Sequence, residues 1–560
     1  MIRTATLLLA LSLTACARTP TIPNSTFTEG GAAVDTVNTE NTVHGSQAAS
    51  FPPLSVDALA DALALLLDTH DTSQRTNVTL VVRDLETGET LFDRGGGKLL
   101  TPASNLKIYT AAAAIDLLGP EHTWTTGLRA VALDTLDNRP PPTTVYLEVT
   151  GDPMFDTAQL EALVASFVEN VTLPGPIVNV SLNTPRPWAS IPLKGPGWMW
   201  DDDPDYYNMS IRGGMLNFNV ADVRVSPEGE RPGRPPSQTI SEHVVGDNWP
   251  RRVLVENVIP SDYPAHSFGE LAEATVNGWV GPKAGSDITV TRVPFTDDWQ
   301  VRGNMKPDDP PVVVERLGMH DPAKWIASVL AKMLEGHGLK MAINLDMISV
   351  FSESTRGQRT GDFAAEREAS GQVQQHGKPL SEAVQHLLRV SENAVGEMLL
   401  LTLSERFAPD GQVSWPAGAT VISEWLVNVA GVTQGSFRLV DGSGLSRYNL
   451  ISANSSIQLL DFMDDHKHFG VFFAGLPTYD VALPKDGSWN QIPLPEFDDQ
   501  RVFAKPGGMG GVATISGYID TLDGRRLAFS LLANGYVSSN ESVRDLHDQV
   551  WATLVRYRAD

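Results

Sequence analysis

Strand signals stand at both ends of the apolar part of this chain, and that placement limits how it can fold. Near the start, residues 77–84 (NVTLVVRD) and 89–93 (ETLFD) flank Leu85-Glu86-Thr87-Gly88, a strand–turn–strand pattern. Near the end, 501–505 reads as a short strand, and 512–521 and 525–533 form a hairpin across Asp523-Gly524. Helices are expected at 56–67, at 108–118 with Gly119-Pro120 stopping it, and at 541–557. One split domain satisfies this order, its terminal strands pairing across the chain and its two parts spanning 54–156 and 371–560. The intervening 157–370 is rich in Pro, Gly, Val and Thr and reads as β-rich inserted material. At 560 residues the chain exceeds a single compact core, so two or three domains are expected. No internal repeat is visible.

The balance of 42 Lys+Arg against 67 Asp+Glu gives a net charge of −25, which argues against a nucleic-acid partner. The plainer consequence of this acidity is a well-solvated surface. Apart from the N-terminal segment, no apolar run is long enough to span a bilayer. The N-terminus reads as an export address: Arg3 precedes a short apolar stretch at 7–13, too short for a transmembrane helix. It ends in Leu13-Thr14-Ala15-Cys16, which resembles the bacterial lipobox, where cleavage leaves the cysteine N-terminal and acylated. Cys16 is the only cysteine, so intrachain disulfides are excluded. Residues 1–16 are thus read as a lipoprotein signal peptide. Residues 17–53 lack helical or strand periodicity and read as a flexible tether. The expected location is the cell envelope, with the chain lipid-anchored to a membrane.

Candidate chemistry begins at Ser104 and Lys107. Residues three apart share a helical face, so the lysine amine can lie beside the serine hydroxyl. A serine becomes a good nucleophile only when a base takes its proton, and a desolvated lysine can do so. This S-x-x-K is the only one in the chain, yet a motif so short occurs about once by chance in such a composition. The pattern gains weight from S-x-x-K followed by S-x-N and K-T-G, the set of penicillin-binding proteins and serine β-lactamases. Ser391-Glu392-Asn393 lies between two helical patterns, 381–390 and 394–406. The same tripeptide pattern also fits at Ser181, Ser452, Ser488 and Ser538. Lys505-Pro506-Gly507 follows a strand and precedes a Gly-rich turn, whereas Lys283-Ala284-Gly285 and Lys485-Asp486-Gly487 sit in less suitable contexts.

Longer stretches carry a family resemblance. PASNLKIYTAAAA around Ser104, VTGDPMF at 149–155, RVSENAVGEMLLL around Ser391, DGSGLSRYN at 441–449 and AKPGGMGGVATISGY at 504–518 resemble class C low-molecular-mass penicillin-binding proteins. GWMWDDD at 197–203 and LNFN at 216–219 resemble part of that family's insertion. The resemblance runs from about residue 54 to the C-terminus. It implies an α/β (α+β) transpeptidase/β-lactamase-like domain, an antiparallel sheet flanked by helices and interrupted by inserted domains. It also implies serine-type D-alanyl-D-alanine carboxypeptidase activity, often with endopeptidase action on cross-links. Peptidoglycan peptides would be the substrates and β-lactams the inhibitors. No cofactor is implied, and the sequence holds no HExxH or Cys/His ligand cluster. By the same resemblance Ser104 is the nucleophile and Lys107 the base of acylation. Ser391 relays a proton to the leaving group, and Asn393 orients substrate and lysine. Lys505 adds positive charge near the substrate carboxylate, and the N–H groups of Ser104 and Gly508 form the oxyanion hole.

One position departs from the pattern. The threonine of K-T-G is Pro506, and the residue after Gly507, often Ser or Thr, is Gly508. Both hydroxyls that would bind a terminal carboxylate are gone. Each such hydrogen bond to a charged group contributes about 1.5–3 kcal/mol. Two other readings stay open: a non-catalytic, lipid-anchored peptidoglycan-binding protein with a relict site, and a same-fold serine esterase or β-lactamase. The joint presence of Ser104, Lys107, Ser391, Asn393 and Lys505 argues against the first. The large insertion argues against a β-lactamase.

Overall fold

The computed structural model describes residues 53–133, 140–203, 205–226, 253–257, 273–274, 289–292, 299–302, 312–342, 371–481, 483–484, 491–492 and 500–559. Cys16, the signal peptide and the tether to residue 52 lie outside the described residues, as do the Lys283 and Lys485 triplets and the Ser488 tripeptide.

The chain closes on itself through one six-stranded antiparallel sheet. Its order is Thr478–Asp480, Gln500–Met509, Val512–Asp520, Arg526–Asn534, Asn77–Asp84 and Thr90–Arg94. Asn77–Asp84 pairs along its whole length with Arg526–Asn534, so the first long strand lies beside the last. The central strands Val512–Asp520 and Arg526–Asn534 are buried almost throughout, as strands covered on both faces must be. Gln500–Met509 meets Thr478–Asp480 only over residues 500–503. The Ala504 amide still donates to the Pro477 carbonyl at 2.9 Å, and beyond it no described strand pairs with this side, so the lack of an N–H at Pro506 is tolerated there.

A helical layer packs on this sheet around the helix Lys107–Leu118, in which Lys107 to Ile115 are all buried. Such a helix is apolar all round because it has neighbours on every side. Those neighbours are Leu380–Arg389, Asn393–Phe407 and Trp415–Asn428. Ala111 to Ala114 have no exposed surface, and their small side chains let the neighbouring helices approach closely. Enlarging one of them would force neighbouring side chains off their rotamers, at about 1–3 kcal/mol. One core cluster joins this helix to Leu387, Met398, Leu400, Trp415 and Leu460.

Between the two halves lies a second architecture with its own core. Its sheet has the order Gly371–His376, Thr125–Ala132, Thr143–Glu148, Ile177–Asn183. The last pair is parallel, joined by the crossover helix Thr157–Asn170. This sheet takes strands from residues on both sides of 157–370. Helices are also prominent: Thr157–Asn170 buries Leu160, Leu163, Val164 and Phe167, a helical period, under an Asp156 capping box. Pro322–Gly336 packs beside Ile177–Asn183 and is N-capped by Asp321. A further antiparallel sheet has the order Val312–Gly318, Val220–Ser226, Val253–Asn257, Glu273–Ala274. The described part of the insertion is therefore mixed α/β in character.

Candidate active site

Ser104 lies in a 3-10 turn, Ala103–Leu106, that runs directly into the Lys107–Leu118 helix. Side chains three apart nearly eclipse in such a turn. Lys107 Nζ accordingly donates to Ser104 Oγ at 2.8 Å. The turn is built for this exposure: Ala103 has φ 48°, in the left-handed region that non-glycine residues rarely adopt. Such strain persists only where the surroundings fix it, and here they do. Asn105, fully buried, donates from Nδ2 to the Lys505 carbonyl at 2.6 Å and accepts at Oδ1 from Ser516 at 3.0 Å. Thr514 Oγ1 donates to the Pro102 carbonyl at 2.5 Å. These bonds tie the serine turn to the strands Gln500–Met509 and Val512–Asp520.

Lys107 is completely buried. Its amine donates to Asn393 Oδ1 at 2.6 Å and to the Ser443 carbonyl at 2.9 Å, besides Ser104. Burial lowers it from the ordinary lysine value of 10.5 to about 8, against the pull of Asp441, Glu397 and Glu392, which favour the ammonium. About a tenth of the amine is then neutral at neutral pH, whereas an unperturbed lysine is almost wholly protonated. A base with a proton-accepting population thus stands in hydrogen-bond contact with a hydroxyl.

Asn393 opens the helix Asn393–Phe407, and its side-chain orientation is fixed by its second bond, Nδ2 to the Tyr207 carbonyl at 2.8 Å. Tyr207 belongs to the inserted region, so the insertion forms part of the site. Ser391 lies two residues earlier, half-buried, in the short link after Leu380–Arg389. Its backbone is left-handed at φ 69°, a second strained non-glycine residue at the site. No hydrogen bond joins the Ser391 hydroxyl to another described residue, so it is left to donate or accept.

Lys505 is 1% exposed in the edge strand. Burial, and then the nearby charge of Lys107, hold its amine well below the ordinary lysine value. It donates to the Pro506 carbonyl at 3.0 Å. Alternation places Lys505 and Gly507 on one strand face and Pro506 and Gly508 on the other. Gly507 allows the strand to approach the serine turn: a Cβ there would meet the Pro102 carbonyl and the Asn105 amide nitrogen at 2.4 and 2.5 Å. Gly508 is exposed with open space around it, so steric exclusion does not explain the missing side chain.

The tripeptides that share the S-x-N pattern fall elsewhere. Ser181–Asn183 ends a strand of the second sheet, Ser452 caps the helix Ala453–Asp464, and Ser539 caps Asn540–Leu554. Four participants were not singled out from sequence: Asn105, the carbonyls of Ser443 and Tyr207, and Glu397. Two are backbone atoms, which carry no residue-type signal. Glu397 did leave one, since it is a lone acid inside the apolar run Val395–Leu401. No group of His, Cys, Asp and Glu that could hold a metal occurs among the described residues.

A sequence model of the D-Ala-D-Ala carboxypeptidase 3 (S13) family matches residues 59–254 and 256–557. A D-alanyl-D-alanine carboxypeptidase of Actinomadura sp. is 27% identical over 485 residues, 85% of this chain and 81% of the relative. The D-alanyl-D-alanine carboxypeptidase DacB of Haemophilus influenzae is 20% identical over 474 residues, 84% of this chain and 87% of the relative. The crystal structure of penicillin binding protein 4 (dacB) from Haemophilus influenzae shares the fold, with a TM-score of 0.64 at 18% identity. That match covers 88% of this chain and 99% of the other. The chain belongs to the D-Ala-D-Ala carboxypeptidase 3 (S13) family, whose members are serine-type hydrolases.

Proposed function

We propose that this chain hydrolyses D-Ala-D-Ala and related peptide bonds of peptidoglycan through an acyl-enzyme on Ser104, and that β-lactams acylate the same serine. The observation that carries this reading is the buried Lys107 amine, 2.8 Å from Ser104 Oγ and held by Asn393 and the 441–444 loop. In the first step Ser104 Oγ attacks the penultimate D-Ala carbonyl carbon while its proton passes to the neutral Lys107 amine. The oxyanion is received by the N–H groups of Ser104 and Gly508, a contribution typically worth about 3–4 kcal/mol per essential donor. The C–N bond then breaks, and the leaving amine takes a proton delivered from Lys107 through the Ser391 hydroxyl. Water attacks the ester in the second half, returning the proton to Ser104 and releasing the shortened peptide. Lys505 supplies positive potential for the carboxylate side of the substrate. The family assignment supports an enzyme over a relict binding protein, as does the complete Ser–Lys–Asn arrangement.

The balance between the two peptidase activities follows from the edge strand. Pro506 and Gly508 offer the cleft no hydroxyl, and the nearby Thr514 hydroxyl is already bonded to the Pro102 and Gly507 carbonyls. Recognition of a free terminal carboxylate is therefore weaker than a K-T-G strand provides. We also propose that Cys16 carries a lipid that anchors the protein to an envelope membrane.

Four outcomes are expected. Ser104→Ala abolishes labelling by a fluorescent penicillin and release of D-Ala from a D-Ala-D-Ala peptide; undiminished labelling would place the nucleophile elsewhere. The acylation rate of the wild-type protein, followed against pH, rises through about 8 and then levels, because the neutral Lys107 amine is the reactive form. A rate that keeps rising to the ordinary lysine range would contradict this assignment of the base. Pro506→Thr raises kcat/KM for a D-Ala-D-Ala peptide by about 1–2 kcal/mol in transition-state terms and leaves acylation by an ester lacking the carboxylate unchanged. Equal effects on both substrates would refute the carboxylate explanation. Mass spectrometry of the membrane-bound protein should find Cys16 N-terminal and lipidated; an unlipidated mature chain starting elsewhere would exclude the anchor.

A further inference from the structure

The Ser443 carbonyl belongs to a loop with little freedom of its own. Gly442 and Gly396 approach backbone to backbone: a Cβ on Gly396 would meet the Gly442 carbonyl oxygen at 2.9 Å. Gly444, at φ 86°, packs against the Ala103 carbonyl next to the nucleophile. The Gly442 carbonyl accepts from Thr110 Oγ1 at 2.7 Å, one position beyond the first turn of the nucleophile helix. Glu397 holds the loop from the other side. Its Oε2 accepts the Gly442 amide at 3.2 Å and Trp415 Nε1 at 2.7 Å, and its Oε1 accepts the Ser443 amide at 2.9 Å. Asp441 closes the loop on itself, accepting the amides of Gly444 and Ser446 together with Asn449 Nδ2 and Trp198 Nε1.

The protons around Lys107 give this arrangement a catalytic meaning. As an ammonium, Lys107 has three N–H groups for three acceptors: Ser104 Oγ, Asn393 Oδ1 and the Ser443 carbonyl. As a neutral amine it has two N–H groups and one lone pair. Asn393 Oδ1 and the Ser443 carbonyl have no proton to give, because Asn393 is oriented by its bond to the Tyr207 carbonyl. Only Ser104 can donate. With both carbonyl-type acceptors fixed, the lone pair is left facing the serine hydroxyl.

We infer that Glu397 is a positioning residue for the general base: by holding the Gly442 and Ser443 amides it fixes the Ser443 carbonyl, which with Asn393 aims the Lys107 lone pair at Ser104. This rests on the acyl-transfer reading above. Glu397 touches no reacting atom, and its effect passes through the loop and through its charge. Burial and Asp441 push the Glu397 carboxyl up, and the N–H groups of Gly442, Ser443 and Trp415, all donating to its two oxygens, favour the carboxylate against them. The charged groups that act on Lys107 are Asp441, Glu397 and Glu392 on the anionic side and Lys505 on the cationic side.

The test uses the full chain and a penicillin whose saturable acylation separates binding from the covalent step. In Glu397→Gln one N–H donor of the cradle faces the new amide N–H, so the loop must shift. The limiting acylation rate is expected to fall between about tenfold and a hundredfold, the loss typical of a misplacement near 1 Å, with little change in binding. The rising limb of the pH profile moves to lower pH, because a negative charge and a fixed acceptor that both favour the ammonium are lost. A merely structural role would reduce the amplitude of active protein and leave rate and limb in place, which would overturn the inference. If Glu397→Gln does not fold, Glu397→Asp decides. It keeps the charge one methylene short, so slowed acylation with the limb unmoved is expected, and wild-type kinetics would refute the role. Failure of the wild-type protein to label at Ser104 would instead remove the acyl-transfer reading, and the inference with it.

Discussion

The site depends on one unfavourable placement, a lysine amine taken completely out of water. An ammonium in such surroundings loses its hydration, and the fold compensates only in part. The shift from 10.5 to about 8 corresponds to about 3 kcal/mol of lost preference for the charged form. Fuller compensation would give an inert ammonium, and none would give an amine indifferent to its partners. Three neighbouring acids raise the value and burial lowers it, so the base stands near the pH at which it would work.

The rest of the molecule keeps that placement fixed. The all-buried Lys107–Leu118 helix fixes the lysine backbone, and its alanine face draws three helices close enough to exclude water. The sheet holds the serine turn through Asn105, bonded to the Lys505 strand, and through Thr514 of the next strand inward. The inserted region reaches the site through backbone and indole groups: the Tyr207 carbonyl orients Asn393, and Trp198 donates to Asp441. An insertion between the first and second motifs thus contributes to the constellation. Ala103 and Ser391, both at positive φ, mark where the surrounding structure imposes its geometry on the chain.

Much of this was legible in the sequence, for reasons that differ by element. The pairing of Ser104 with Lys107 is local, and three-residue spacing on a helical turn suffices to predict it. The terminal strands were legible because alternation and an Asp-Gly turn bounded them, and their pairing followed from having strands at both ends. Ser391 and Asn393 needed context, since other S-x-N tripeptides sit in a strand or at helix caps. The helices of the insertion were missed because its many Pro, Gly, Val and Thr residues read as turns and strands, although Leu160, Leu163, Val164 and Phe167 keep a clear helical period. The acceptors at Ser443 and Tyr207 are main-chain carbonyls, and every residue has one. Their selection depends on where distant segments meet, information that no local spacing carries.

Activation of Ser104 turns on the protonation of one buried amine, and titration of that amine tests it most directly. Isotope-edited NMR of lysine-labelled protein, with the Lys107 resonance assigned by its loss in Lys107→Arg, follows the group without reference to any substrate. The expected result is a titration near 8, more than two units below that of an ordinary lysine. A Lys107 amine that remains protonated up to the ordinary lysine range would contradict the account, because no proton-accepting form would then stand beside Ser104 at physiological pH.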